Sequence, residues 1–339
     1  MKKNILLRLS CAFSFLFMAL ISNPSMAEGV PLLRISTENS ATHVQTRVVQ
    51  MFVDRLREKI HGSLEIEFHH SAELFRDSNV VKAMHDGKVE MAVPGTWQLD
   101  SFEPNIGIFL LPMFYGREAA VNYELRDGDI GLAINEKIGA SLNVKVIGRW
   151  IDLGYAHLYS VDRKIERHED LVGMHIRTPG GDANGLRLEA LGAVPMVVPW
   201  PDLPQALSHG TIDGVLSTHA TVVSAKLWEN GIRYAFEDKE YFPQYVPIIS
   251  ERFWKRLPPE TQQIITETWE SIVPESRQMA LEAQQEAYQI LQTNGVSIVT
   301  PSSEELTRWR NKMLSIQPAL IEKMGIDPAL VNAVEDKLE

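Results

Sequence analysis

The chain of 339 residues contains a single cysteine, Cys11, which lies in the N-terminal segment. Disulfide scaffolds, cysteine-ligated zinc and cysteine nucleophiles are therefore excluded for the rest of the chain. Lysine and arginine form no cluster, and the formal net charge is −11. Because nucleic-acid-binding proteins present a basic face, this composition predicts no nucleic-acid partner. An anionic ligand would need a local basic group.

Short catalytic motifs are also missing. The sequence has no G-x-S-x-G, no H-E-x-x-H, no P-loop and no G-x-G-x-x-G. Glu65, Glu67 and His69 share one face of a predicted strand, where a solvated face is favoured over a metal site. The histidines show no ligand spacing. We therefore expect neither an enzyme nor a bound cofactor.

One long apolar run stands at the N-terminus, over residues 9–21, and it follows three basic residues. Small residues occupy the −3 and −1 positions of a cut after Ala27, which is the pattern of a secretory signal peptide. A membrane anchor is the alternative, but the run is about 13 residues, shorter than the roughly 20 that span a bilayer. We expect residues 1–27 to be removed and the mature protein to reside in a bacterial periplasm.

Strands and helices alternate in two stretches of the remaining chain. Residues 32–37, 64–68 and 91–93 are predicted strands, separated by helices over 41–61 and 78–86. The second stretch contains predicted strands at 144–147, 156–161, 174–177, 195–198 and 212–216 and helices at 183–191 and 202–209, with a crossing strand at 245–249. This alternation predicts an α/β fold with mostly parallel, helix-covered sheets.

Two α/β stretches without a linker predict two lobes joined by structured crossovers. Residues 258–293 are strongly helical, and Pro274 should kink or break that helix, since proline removes a backbone donor. We assign 28–150 plus 240–275 to lobe one and 151–239 plus 276–339 to lobe two. Hinges are expected near 150–154 and 238–243, where the chain passes between the lobes.

One arginine is the first candidate for ligand binding. Arg177 leaves the C-terminal end of a short predicted strand, where ligands of α/β sheets usually bind. Its guanidinium is always charged and can hold a carboxylate with two hydrogen bonds. From position alone, a surface salt bridge is the favoured explanation.

Several sequence motifs occur together around this arginine and along the rest of the chain. They read DLVGMHIRTP at 170–179, LGAVP at 191–195, QALSHGTIDG at 205–214, FVDRLREKIHG at 52–62, AELF at 72–75 followed by Asp77, LPMF at 111–114, and FWKRLP at 253–258. In this order and spacing they resemble the motifs of the solute-binding proteins of TRAP transporters, the DctP family. The resemblance covers essentially the whole chain after residue 27.

The resemblance implies a two-lobed periplasmic binding protein, type II-like, that closes on an organic acid and delivers it to a membrane permease. It implies that Arg177 clamps the ligand carboxylate. Many family members carry asparagine shortly after the D-G motif, where this chain has Ser217, with Thr218 beside it. A second family arginine is also missing, and His157 stands near the equivalent place, either as a weaker, pH-sensitive donor or as a packed strand histidine.

Further candidates follow from position along the predicted strands. Residues after the first strand and at the end of the third face the crevice between lobes. These candidates are Glu38, Asn39, His43, Thr96 and Trp97, with Phe75 and Asn79 as weaker ones. Four tryptophans are expected either to line the cleft or to pack in the core or an interface: Trp150, Trp200, Trp228 and Trp254.

Two other functions remain open. An ABC-type periplasmic binding protein would share the architecture and differ in its permease. A secreted α/β hydrolase would need a nucleophile, a base and an orienting group, and no motif supplies them. The sequence does not name the ligand, so dicarboxylates, hydroxy acids, sugar acids and aromatic acids all remain possible.

Overall fold

The computed structural model describes residues 29–338 and gives them an α/β architecture. The strands are β1 (Leu32–Ser36), β2 (Glu65–His69), β3 (Met91–Ala92), β4 (Val144–Val146), β5 (Ile151–Asp152), β6 (Ala156–Ser160), β7 (His175–Thr178), β8 (Val194–Val197), β9 (Gly214–Thr218), β10 (Tyr234–Tyr241), β11 (Gln244–Tyr245), β12 (Ile248–Ser250) and β13 (Ser297–Val299). The helices are α1 (Val44–Ile60), α2 (Asp77–His85), α3 (Ala119–Asp127), α4 (Asp129–Leu142), α5 (Asp182–Ala190), α6 (Leu203–Ser208), α7 (His219–Ser224), α8 (Glu251–Trp254), α9 (Pro259–Thr293), α10 (Ser303–Met313), α11 (Gln317–Met324) and α12 (Pro328–Leu338). The predicted signal peptide, residues 1–27, lies outside the described residues.

The first sheet contains five strands in the order β2-β1-β3-β12-β4. β1 runs parallel to both β2 and β3, as helical crossovers require. β12 comes from much later in the chain and pairs antiparallel with both β3 and β4. The sheet is therefore parallel where strands follow one another closely in sequence and antiparallel where the chain returns.

The second sheet contains six strands in the order β13-β10-β6-β9-β7-β8. β7 is parallel to β8 and β9, and β13 is parallel to β10. β6 is antiparallel to both of its neighbours, β9 and β10. Its pairing with β10 shifts register between Phe236 and Tyr241, so the residues between these two leave the regular ladder and Tyr241 pairs again, with Ala156.

Each sheet takes strands from two separate parts of the chain. Residues 32–146 and 248–250 supply the first sheet, and residues 156–241 and 297–299 supply the second. The two connections between the sheets meet, because β5 and β11 lie on them and pair antiparallel. The fold is two-lobed, and the connections adjoin the segments expected to act as hinges. The lobe limits and the hinge positions remain predictions.

Helix α1 shows how the sequence pattern becomes packing. Its apolar stripe, including Val49, Phe52 and Leu56, is buried in the core of the first sheet. Burying side chains of this size stabilises the fold by about 1.5–3 kcal/mol each. The ring of Phe52 meets that of Trp269 on α9 edge to face at 5.3 Å between centroids. His61 ends the helix in the left-handed region, at φ 45°.

Helix α9 runs for 35 residues and continues through Pro274. Of the two outcomes expected at this proline, a kink or a break, the break does not occur. The residues just before the proline, Ile272 and Val273, are fully buried, and this packing holds the helix where a donor is missing. α9 packs on α1 and on α7, so it contacts elements of both halves. Within residues 29–338, no helix combines the length and hydrophobicity needed to cross a membrane.

No helix or strand was predicted between residues 94 and 143, yet α3 and α4 lie there. Ile130, Ile134 and Ile138 recur every fourth residue and are buried along α4. That spacing was a readable helix signal. The preceding segment, 104–114, forms two 3-10 helices. Its mostly apolar sequence shows neither a helical nor a strand period.

Candidate ligand-binding site

A cavity of about 120 Å³ lies between the two sheets. Segments that follow the ends of β1, β7 and β9 contribute to it, and the connections between the sheets close one side. Its lining consists of Glu38, Asn39, His43, Asp77, Ser78, Trp97, Gln98, Leu153, Ala156, Arg177, Pro179, Gly180, Val197, Pro199, Trp200, Leu216, Ser217, Thr218, Thr221, Tyr241, Pro243 and Tyr245. This is the crevice in which the sequence placed its candidate residues.

Arg177 is the cation of this cavity. It is 3% exposed, its Nε donates to the Val198 carbonyl at 2.9 Å, and its Nη1 lies 3.5 Å from the Leu216 carbonyl. Burial lowers its pKa to about 10, and the charge of Glu38 partly opposes that shift, so the guanidinium stays charged at neutral pH. Among residues 29–338, no carboxylate comes within 4.0 Å of it. A buried guanidinium without an acidic partner is costly unless an anion joins it.

Two carboxylic acids face the same cavity from the first half of the molecule. Glu38 Oε2 accepts a hydrogen bond from the backbone N–H of Asp77 at 2.7 Å, and both residues are less than 10% exposed. Burial, together with the nearby charge of Glu38, raises the pKa of Asp77 well above its usual range. The cavity therefore offers carboxyl oxygens as well as the guanidinium of Arg177.

Hydroxyl, amide and imidazole groups connect the two halves beside these charges. His43 Nε2 lies 3.1 Å from Thr221 Oγ1, and Thr218 donates to the same Thr221 hydroxyl at 2.8 Å. Asn39 donates to Tyr245 at 3.4 Å. Burial lowers the pKa of His43 to about 4, so this imidazole is neutral at pH 7. The network fixes the orientation of α1 and α7, which both begin at the cavity.

Aromatic rings form the apolar part of the wall. Trp97 meets Tyr245 at 5.1 Å and Tyr241 at 6.3 Å between ring centroids, both edge to face. Trp200 lies 5.8 Å from the Arg177 guanidinium, within cation–π distance. Tyr241, the last residue of β10, and Tyr245 of β11 were not among the predicted site residues, and both are buried only by the fold.

A glycine sets the position of Trp97. Gly181, at the start of α5, has φ 86°, and a Cβ there would lie 2.9 Å from Trp97 Cβ and 2.8 Å from Asp100 Oδ2. Any other residue would clash with this wall and be strained in its backbone. The Gly180-Gly181 pair is thus a tight turn before a helix that brings β7 close to Trp97.

The structure brings together Arg177, Ser217, Thr218, Glu38, Asn39, His43 and Trp97. Thr96, Phe75 and Asn79 do not line the cavity; Thr96 is buried beside Trp97, and Asp77 and Ser78 take the place of the other two. Asp77 and Ser78 begin α2, and the first turn of this helix selects which side chains face the cavity. Of the four tryptophans considered, Trp200 alone lines this cavity, and Trp150 is core.

His157 also lies outside this cavity, which corrects its assignment as a ligand donor. It lines a second cavity with His219 and Glu237, and its ring centroid is 4.7 Å from that of His219. Burial, together with the nearby His219, lowers the pKa of His157 to about 3. The imidazole is therefore neutral and does not replace a missing arginine.

The fold and the site together define a class. Two α/β halves that share the chain, with a buried cation facing a cavity between them, form a bacterial solute-binding protein. A model of the DctP family, described as bacterial extracellular solute-binding protein, family 7, matches residues 35–323. The chain belongs to this family, the solute-binding proteins of TRAP transporters, as its motifs predicted.

The chain is similar to relatives that are named for different ligands. The chain is 24% identical over 263 residues to the C4-dicarboxylate-binding protein DctB of Bacillus subtilis, covering 77% of this chain and 74% of that protein. It is 25% identical over 271 residues to the 2,3-diketo-L-gulonate-binding periplasmic protein YiaO of Escherichia coli, covering 79% and 80%.

Solved structures share the fold. A TRAP periplasmic solute-binding protein from Sulfurospirillum deleyianum with bound succinate superimposes with a TM-score of 0.81 at 22% identity, covering 90% of this chain and 98% of that one. The sugar acid binding protein DctPAm from Advenella mimigardefordensis in complex with galactonate gives 0.83 at 20% identity, covering 91% and 98%.

Proposed function

We propose that this protein captures a small carboxylate in the cavity between its lobes and delivers it to a TRAP membrane permease. The observation that carries the proposal is Arg177, a buried guanidinium whose protein partners within residues 29–338 are backbone carbonyls. A ligand carboxylate would supply the missing charge through a bidentate, charge-assisted pair. Relatives named for C4-dicarboxylates and for 2,3-diketo-L-gulonate, all of them acids, support this class of ligand.

The two acids in the cavity, Glu38 and Asp77, narrow the class of ligand further. Glu38 and Asp77 offer carboxyl oxygens in the same cavity, where the charge of Glu38 would repel a second ligand carboxylate, while the raised pKa of Asp77 favours its neutral, protonated form. A ligand with one carboxylate and several hydroxyl donors satisfies both Arg177 and this pair. We therefore propose a hydroxy acid or sugar acid in preference to a simple dicarboxylate.

A thermal-shift screen of purified protein tests this proposal. Hydroxy monoacids and sugar acids are compared with dicarboxylates and with the uncharged sugars or alcohols of the same size. A ligand present at a hundred times its Kd stabilises the fold by about 2.7 kcal/mol, which a melting curve resolves. Stabilisation by uncharged analogues as strong as by the acids would contradict the role of Arg177. A clear preference for dicarboxylates would contradict the role of the acid pair.

Export to the periplasm and closure of the lobes on the ligand are part of the same proposal. Closure by rotation at the β5–β11 connections would leave each sheet unchanged. X-ray scattering with and without the acid should show a smaller radius of gyration with it. An unchanged radius at saturation would contradict closure. Mass spectrometry of the periplasmic protein checks whether the chain begins near Glu28.

A further inference from the structure

The second cavity contains a cluster of metal-ligating groups that carboxylate capture does not use. It encloses about 630 Å³ and is lined by residues of α3, α9, β6 and β10. His157 from β6, His219 from the start of α7 and Glu237 from β10 each offer one ligand atom to it, and these atoms all lie within 4.8 Å of one another. Each of the three side chains is less than 15% exposed.

The distances suit a tetrahedral ion. His219 Nε2 lies 2.9 Å from Glu237 Oε1, and His157 Nε2 lies 3.9 Å from the same oxygen. Metal–ligand distances of about 2.0–2.2 Å place tetrahedral ligand atoms roughly 3.3–3.5 Å apart. These two distances bracket that spacing, and the third pair, between the two imidazole nitrogens, lies within 4.8 Å.

The surroundings hold two of these ligands, His219 and Glu237, as metal ligands are commonly held. The Tyr159 hydroxyl lies 2.6 Å from His219 Nδ1, and Thr300 donates to the second oxygen of Glu237. Such partners fix the ring orientation and the basicity of a ligating imidazole or carboxylate. His157 lacks such a partner: its buried Nδ1 has no hydrogen bond within the described chain and lies 3.9 Å from Asp238 Oδ1, which has none either.

A second cluster nearby shows what a non-binding arrangement looks like. His168, Asp238 and Glu240 also come within reach of one another, but Glu240 is paired with the Arg187 guanidinium and accepts from Trp309 Nε1. Those groups are all buried, and a cation already occupies the position that a metal would take. The His157 cluster opens to a cavity and has Lys239 as a neighbouring cation rather than a bound partner.

We propose that His157, His219 and Glu237 bind one divalent transition-metal ion, with Zn²⁺ as the best fit, and that the fourth position faces the second cavity. Two imidazoles and one carboxylate with an open position form an established zinc ligand set. The ion would join β6, α7 and β10, next to the connection between the lobes. This proposal does not depend on the identity of the carboxylate.

The test uses untagged, chelator-treated protein titrated with ZnCl₂ by calorimetry and with CoCl₂ by visible absorption. We expect one equivalent of Zn²⁺ and the intense visible bands of tetrahedral Co²⁺. His157→Gln and Glu237→Gln should each weaken binding by more than the 10- to 100-fold that loss of an outer partner costs. Tyr159→Phe, which removes only such an outer partner, should weaken it 10- to 100-fold. The exposed His209→Gln serves as the control and should bind as the wild type does.

Three results would overturn the proposal: no saturable binding near one equivalent, octahedral Co²⁺ only, or unchanged affinity in folded His157→Gln or Glu237→Gln protein. If a variant fails to fold, the Co²⁺ spectrum of the wild type and the conservative Tyr159→Phe decide instead. Arg177→Ala should still bind Zn²⁺. Failure of the metal site is thus distinguishable from failure of the carboxylate site.

Discussion

Two buried arginines in the second half of the molecule illustrate opposite uses of a charge. Arg187 on α5 pairs with Glu240, and both side chains have no exposed surface. Arg177, only ten positions earlier, has carbonyl partners and faces a cavity. A buried charge with a protein partner holds elements together, whereas one without such a partner is available to a ligand. The difference lies in what the fold places opposite each guanidinium.

The largest effect is expected at the paired arginine. Arg187→Ala would leave Glu240 buried beside another acid, Asp238, with contacts to His168 and Trp309 but no arginine partner. Breaking a buried pair on one side costs about 3–5 kcal/mol of unfolding free energy. Urea denaturation measures this loss. An Arg187→Ala protein as stable as the wild type would remove the contrast between the two arginines.

Arg177→Ala should reverse the pattern, with large loss of affinity and little loss of stability. The bound carboxylate would be desolvated without its partner, which costs about 2–5 kcal/mol, or roughly 30-fold to several-thousand-fold in Kd. Arg177→Lys should also bind poorly, because an ammonium lacks the planar fork. Calorimetric titration with the cognate acid, beside a melting curve, measures both. Near-native affinity in folded Arg177→Ala protein would refute the assignment.

Asp100 adds a buried acid to this comparison of buried charges, and its hydrogen-bond donors are backbone amides. Its Oδ2 accepts from the Ala183 N–H at 3.1 Å, and burial raises its pKa to about 6. Because the folded pKa lies above the unfolded one, the native state binds more protons between about pH 4 and 6, and its stability falls as pH rises through that window. We expect Asp100→Asn to be the more stable protein at pH 7, by on the order of 1–3 kcal/mol.

The matched measurement is urea denaturation of both proteins at pH 7 and at pH 4. The advantage of Asp100→Asn should shrink toward zero at the lower pH, where the wild-type carboxyl is protonated. An advantage that is equal at both pH values would show that the charge of Asp100 is not its source.

The smallest effect is expected at an exposed pair that joins the two sides of the cleft. Arg76 binds Asp202 through two hydrogen bonds, at 2.8 and 3.2 Å. Both side chains are exposed by more than 40%, so water and salt screen the attraction. Arg76→Gln should raise the ligand off-rate slightly at low salt, and the difference should vanish at high salt. Stopped-flow dissociation at two ionic strengths tests this. A difference that persists at high salt would contradict a screened, electrostatic role.

The sequence predicted local structure well where a single period dominates. The stripe of α1 and the strands β1, β2 and β7 were placed within one or two residues, because burial follows the same period along the chain. The region 94–143 was left unassigned, although the every-fourth isoleucines of α4 were readable. β10 was not predicted, since its residues Phe236, Glu237 and Asp238 mix apolar and acidic side chains that only partners elsewhere explain.

The candidate site shows the same contrast between residues that a local pattern marks and residues that only the fold brings together. Arg177, Glu38 and Asn39 were predicted as ligand contacts because they lie at or just after the C-terminal end of a strand, where α/β folds bind ligands, and all three line the cavity. Tyr241 and Tyr245 were not predicted, because nothing local marks a residue at the end of β10 or on β11 as part of the cavity wall. His157 was predicted either as a ligand donor or as a packed strand histidine, because a strand position does not tell which neighbour will cover the side chain, and it lines the second cavity.

By itself, the sequence determined the α/β class, the family, and the residue types available at each strand end, since these depend on local periodicity and short motifs. Tertiary structure decided which charges acquire partners. Glu240 meets Arg187, Glu237 meets His219, and Arg177 meets no carboxylate of residues 29–338. These outcomes depend on pairing between strands and helices tens of residues apart, and in a buried site the identity of the neighbour sets the free energy of a charge.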